Sequence, residues 1–160
     1  MTHPIVTAAR GWIGTRFHHQ GRIRKTESHK GGVDCLGLLA GVAAELDLRR
    51  PDGLPLIAAD ETNYPHQPDP KHLRACLSQL LMPIPLGGIR PGDILLLRID
   101  ESPQHLAIVN AMSDGPGIIH AYAPARAVVE HRLDDWWRKR IEAAFRVQPS
   151  NVKVQMSNNP

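Results

Sequence analysis

Apolar positions recur along this chain with two periods, helical in its first half and strand-like in its second. Leu36, Leu39, Val42, Ala43 and Leu46 fall three or four apart and predict the strongest helix, over 34–48. Ile5, Ala8, Ala9 and Trp12 predict a shorter one over 5–14. Leu73, Cys76, Leu77, Leu80 and Leu81 predict a third over 70–81. Between these, 15–33 is rich in Gly, His, Arg and Lys and reads as a loop. Pro51, Pro55, Pro65, Pro68 and Pro70 make 49–70 an irregular surface connection. The pattern then changes: "RPGDILLLRI" is a Pro91-Gly92-Asp93 turn followed by an apolar strand, and "HLAIVNAM" and "GIIHAYA" are two strands joined through a turn at Ser113–Gly117. "AVVEHRL" is a further strand, "DDWWRKRI" a short helix and "AAFRVQ" a closing strand. Helices followed by antiparallel strands predict an α+β domain over 1–148, with a loose polar tail over 149–160.

Composition narrows the class. A chain of 160 residues, 42% of them hydrophobic, is long enough for one domain with its own core. Two cysteines make no disulfide framework. No apolar run reaches the ~18 residues of a membrane span. "MTHPIVTAARGWIGTRF" lacks the regions of a signal peptide, which predicts synthesis in the cytoplasm and no membrane insertion. The net charge of +3 comes without a basic stripe interleaved with aromatics, so nucleic acid is not an expected partner.

The chemistry concentrates in "KGGVDCLGLLAGVAAEL". Cys35 opens the strongest helix, where unsatisfied N–H groups and the helix dipole lower a thiol's pKa and can hold an oxyanion. Asp34 beside it opposes that shift unless its carboxylate is occupied as a cap. A cysteine on an apolar helix can equally be small core filler, the reading that fits Cys76, three residues from Leu73 and four from Leu80. A thiol nucleophile needs a base held by a third polar group. His105 starts one strand and His120 lies within the next, so a hairpin places them on neighbouring strands. His131 in "VVEHRL" is the alternative third residue. His18, His19, His29 and Asp34 match no common zinc spacing, and Gly87-Gly88 forms no phosphate loop, so neither a metal nor a cofactor is expected. His66 and His72 carry no signal. One of Trp136 and Trp137 is expected to anchor the core rather than to stack on a sugar.

Taken in order, "VDCLGLLAG", "RPGDILLL", "QHLAIV" and "GIIHAY" resemble the NlpC/P60 cysteine peptidases. "ARGWIGTRFHHQGR" and "HRLDDWWRKRIEAAFR" resemble the phage-type subgroup found with tail genes of phages and gene transfer agents. The likeness spans roughly residues 5–148. It implies a papain-like fold, with Cys35 as nucleophile, His105 as general base, His120 as the residue orienting it, and hydrolysis of amide bonds in peptidoglycan stem peptides without a metal. A phage-tail setting implies tail proteins as partners and a virion location after assembly in the host cytoplasm. Phe17, His18 and Asp34 are the expected substrate-binding residues. Phe17 stands in "TRF" where many members have a tyrosine in "TPY", so the ring is kept and the hydroxyl lost. The loop 21–32, with Arg22, Arg24, Lys25 and Lys30, is longer than the family minimum and is either a solvated loop or a seat for stem-peptide carboxylates. A structural tail protein with the same fold, or a thiol-dependent acyltransferase, are the alternatives.

Overall fold

The computed structural model describes residues 2–60, 69–99 and 102–148. Pro65, His66, Pro68 and the expected tail over 149–160 lie outside the described residues. The architecture is α+β. Among the described residues, four helices, α1 (Pro4–Arg10), α2 (Cys35–Glu45), α3 (Pro70–Leu80) and α4 (Asp135–Arg138), accompany eight strands. The strands are β1 (Arg22–Ile23), β2 (Gly32–Val33), β3 (Met82–Ile84), β4 (Ile94–Ile99), β5 (Ser102–Met112), β6 (Gly115–Tyr122), β7 (Ala127–Arg132) and β8 (Ile141–Arg146). The last six form one antiparallel sheet in the order β3-β8-β4-β5-β6-β7.

Strand alternation sorts the sheet into two apolar faces. Leu96, Leu106, Ile108, Ile119, Ala121, Val128 and Phe145 meet Ile5, Val6 and Ala9 of α1, Leu38, Val42 and Ala43 of α2, and Leu73 and Leu77 of α3 in the main core. Leu95, Leu97, Ala107, Val109, Ile118 and Ala144 face the other way, onto Leu133 and Trp137. Trp137 is therefore the expected anchor, 7% exposed, while Trp136 stays in solvent at 47% under the Arg140 guanidinium.

The boundaries moved where local bonding overrode the pattern. The first helix ends at Arg10, because His3 caps its start and the amides of 11–13 take tighter i−3 bonds, so 11–14 are turns. The expected loop over 15–33 contains the β1–β2 hairpin, with Arg22 opposite Val33. Residues 82–84 form an edge strand, which three residues with prolines at 83 and 85 did not announce. In the β5–β6 hairpin the strand resumes at Gly115, whose φ of +134° suits glycine, rather than after Gly117. Cys76, read as filler, is half-buried, and its sulfur lies 3.6 Å from His72 Nε2.

The Pro-Gly-Asp turn has a structural role. Gly92 turns the chain at φ +93°, and Asp93, 1% exposed, receives Arg146 Nε at 2.7 Å and Nη2 at 2.8 Å while accepting the Arg90 N–H at 2.7 Å. This clamp ties the start of β4 to the end of β8.

Candidate active site

Three elements build the candidate site around Cys35 and His105. α2 supplies the thiol in its first turn. Its N-cap is Asp34, 5% exposed, whose Oδ1 accepts the Gly37 N–H at 2.8 Å. Because the cap takes the third helical amide, the amides of Cys35 and Leu36 remain directed at the Cys35 sulfur. Asp34 Oδ2 accepts the Gln20 N–H at 2.8 Å, and Oδ1 also accepts Arg22 Nη1 at 3.2 Å. Arg22 in turn grips Asp60 through Nε at 2.8 Å and Nη2 at 3.0 Å. Asp34, expected to meet substrate, is thus occupied in joining the 20–22 loop to the helix. Gly37 makes that approach possible, since a Cβ there would collide with the Gly21 carbonyl.

The second element is β5. Val109 bonds to the β4 side, its N–H reaching Asp93 O at 2.8 Å, so by alternation the amides of Ile108 and Leu106 point toward β6. The β5–β6 pairing, however, runs only from Ile108↔Ile119 to Met112↔Gly115. Beyond that end of the ladder the Leu106 amide comes close enough to the Cys35 sulfur to pull its pKa down. The thiol therefore enters the sheet where the ladder ends, one residue along the backbone from His105.

The third element is a row of imidazoles across β5, β6 and β7. His105 Nε2 lies 2.6 Å from His120 Nδ1, His120 Nε2 lies 2.8 Å from His131 Nε2, and His131 Nδ1 lies 2.9 Å from the Arg132 carbonyl. The hairpin thus brings His105 and His120 into contact as the sequence suggested. His131, weighed as a substitute for His120, is instead joined to it in series. Register explains this, because His131 pairs with Ile118 and His120 with Val129, which puts both rings on one face of adjacent strands. His120 is 0% exposed and packed by aromatics. Tyr122 stacks on it with ring centroids 5.0 Å apart and 25° between planes, and Trp137 meets it edge-on at 5.0 Å. Tyr122 and Trp137 were not singled out from sequence as packing for these rings, although Ile118, His120 and Tyr122 share a face by simple alternation.

Burial sets the charge states. Desolvation, reinforced by the Asp34 carboxylate, pushes the Cys35 thiol up to about 12, against the pull of the Leu106, Leu36 and Cys35 amides. The helix N-terminus was expected to lower this thiol's pKa, but removal from water outweighs it. Desolvation pushes His105 down to about 4, and His120 down to about 2 with help from its two imidazole neighbours.

Phe17 and His18, the other two expected substrate-binding residues, lie alongside β2. Phe17 bridges Val33 in parallel register and packs half-buried on the core, while the His18 N–H donates to Val33 O at 2.9 Å. The His18 side chain is exposed, its Nδ1 2.9 Å from the His19 carbonyl. Among the described residues no group of three or more His, Cys, Asp or Glu side chains is arranged to hold a metal ion. The imidazole row joins its nitrogens in line rather than around a centre.

No protein-family model matches this chain, and no curated protein matches it. Among solved structures, it is similar to an N-acetylmuramoyl-L-alanine amidase from Bacteroides uniformis ATCC 8492, with a TM-score of 0.49 and 13% identity, over 88% of this chain and 96% of that one. The functional reading therefore rests on the geometry of this chain and the motifs that build it.

Proposed function

We propose that this chain is a cysteine-dependent amide hydrolase of the NlpC/P60 kind, acting on peptidoglycan stem peptides, with a papain-like arrangement of helix and sheet. The observation that supports the reading is the position of the Cys35 sulfur, among the first amides of α2 and the Leu106 amide, with the next residue along β5, His105, bonded to a second imidazole. A cysteine serving only as filler requires none of these partners. Cys35 is the nucleophile, His105 the base and later the acid, and His120 holds His105.

The charge states shape the mechanism. With the thiol raised and the imidazole lowered, thiolate and imidazolium are not the resting pair. His105 takes the proton as sulfur attacks the scissile carbonyl, and the α2 amides receive the charge developing on oxygen. The tetrahedral intermediate collapses as His105 protonates the leaving amine. Water, activated by the same imidazole, then resolves the thioester. Substrate class and the setting in a phage or gene-transfer-agent tail, with tail proteins as neighbours, follow from the resemblance in "VDCLGLLAG", "RPGDILLL", "QHLAIV" and "GIIHAY".

Incubation with purified peptidoglycan stem peptides, followed by mass spectrometry, tests the reading. Wild type is expected to release amine and carboxylate fragments, and Cys35→Ala and His105→Ala to release none while remaining folded. A new amide or thioester product would assign acyl transfer instead, and a folded wild type that yields no product would overturn the enzymatic reading in favour of a structural tail protein.

A further inference from the structure

We propose that His131 is a positioning residue which, through the Arg132 carbonyl, fixes the tautomer of His105 two rings away. The inference rests on the hydrolase reading for its consequence but on the hydrogen-bond row for its substance. A carbonyl oxygen accepts and never donates, so His131 Nδ1, 2.9 Å from Arg132 O, must carry the proton. In the neutral ring Nε2 is then a lone pair, and His120 Nε2, 2.8 Å away, must donate to it. His120 Nδ1 is left as an acceptor, and His105 Nε2, 2.6 Å away, donates to it. The last lone pair of the row is therefore on His105 Nδ1. A base needs its lone pair on the nitrogen not already tied to its orienter, and that is where the row puts it.

The direction of the row matters because His120 alone cannot supply it. An imidazole can donate or accept at either nitrogen, so His105 and His120 by themselves are equally satisfied with the proton on the opposite nitrogen of each ring. Run in that reverse sense, the row leaves His105 Nδ1 already protonated and unable to accept from a thiol. An ionised aspartate as third residue breaks the symmetry by its own chemistry, because it only accepts. A histidine needs something beyond it to do so, and here that is His131 anchored on a backbone oxygen. His131 also packs on Trp137, with ring centroids 5.2 Å apart, so a purely structural role for it would be satisfied by any ring of similar size.

The test is histidine nitrogen NMR on the uniformly labelled protein at neutral pH, with steady-state kinetics on stem peptides beside it. Wild type is expected to show protonated Nδ1 at His131 and protonated Nε2 at His120 and His105. A wild-type His105 with its proton on Nδ1, or a His131 with its proton on Nε2, overturns the proposal without any variant. His131→Phe keeps the ring on Trp137 and removes the acceptor. It is expected to give mixed tautomers at His105 and a kcat lowered at least about tenfold, a part of the ~10²–10⁴ that positioned proton transfer supplies, with KM unchanged. His131→Glu, whose ionised carboxylate can only accept from His120 Nε2, is expected to restore much of both signals. An unchanged His105 tautomer in His131→Phe overturns the proposal. The two readings fail separately: the expected tautomers in a protein that cuts nothing would sink the hydrolase and leave the row standing, whereas hydrolysis by a protein whose His105 is protonated on Nδ1 would sink the row and leave the hydrolase.

Discussion

Replacing His120 by asparagine should flatten the dependence of stability on pH by one proton. In the unfolded chain His105 and His120 both take up protons below about pH 6.5. In the fold His105 does so only near 4 and His120 near 2, because burial disfavours their charged forms. Between these limits the unfolded state binds more protons, so the contribution of both rings is complete above pH 6.5 and is lost as pH falls. Near pH 5 the unfolded chain holds almost two more protons on this pair than the native one, a slope of about 2.5 kcal/mol per pH unit. From pH 7 to pH 5 the pair removes about 4 kcal/mol, a large share of the stability of a domain this size. Asparagine at 120 can accept from His105 Nε2 but does not titrate, so its slope should be smaller by about 1.3 kcal/mol per unit. Other groups that titrate on unfolding, His3 among them, are common to both proteins and cancel in the difference. Urea denaturation at half-unit steps from pH 4.5 to 7.5 measures it. Equal slopes in wild type and His120→Asn would refute the account of His120 as a ring held neutral by burial.

Three further outcomes follow from neighbouring contacts. Gly37→Ala should lower stability by about 1–3 kcal/mol although alanine is the better helix former, because the new Cβ meets the Gly21 backbone; an unchanged melting temperature would show that the 20–22 loop does not need that approach. Asn110→Leu should raise stability by about 1–2 kcal/mol, since neither polar atom of this buried side chain has a partner in the protein, and a lowered melting temperature would contradict that. Alkylation of Cys35 by iodoacetamide, followed by peptide mass spectrometry, should accelerate with pH through 9 and beyond, because burial and Asp34 raise the thiol; a rate already level at neutral pH would mean a resting thiolate.

What could be read from the sequence was whatever depends on short-range pattern. The 3.6-residue spacing of Leu36, Leu39, Val42, Ala43 and Leu46 is a property of one helix, and α2 lies inside the span it marks. The alternation of Ile118, His120 and Tyr122 belongs to one strand, and with a two-strand hairpin it sufficed to bring His105 to His120. His131 was a different problem. Its place in series depends on the β6–β7 register, which pairs it with Ile118, and no local signal in "AVVEHRL" distinguishes that register from one shifted by a residue. The β1–β2 hairpin inside a polar loop was hidden for a related reason. Two residues per strand leave no period to detect, and the pair is tied down by the single core residue Val33 together with the Asp34 and Arg22 contacts. The thiol's pKa depends on more than the helix dipole that a sequence shows, because the desolvation that raises it is a property of the packed molecule.

The same burial that raises Cys35 and lowers His105 gives the imidazole row a second use in the proposed reaction. A proton taken from the thiol by His105 Nδ1 makes a cation in a site that disfavours it. His105 can release its Nε2 proton to His120 Nδ1, and His120 its Nε2 proton to His131 Nε2, each transfer across a bond already formed. The charge then lies on His131, which is half-buried rather than enclosed, while His105 and His120 return to neutral rings with their proton positions exchanged. In that state His105 carries its proton on Nδ1, the nitrogen from which the leaving amine must be protonated. As His105 gives its Nδ1 proton to the amine, His120 Nδ1 returns a proton to His105 Nε2 and His131 Nε2 returns one to His120 Nε2, which restores the arrangement anchored on the Arg132 carbonyl.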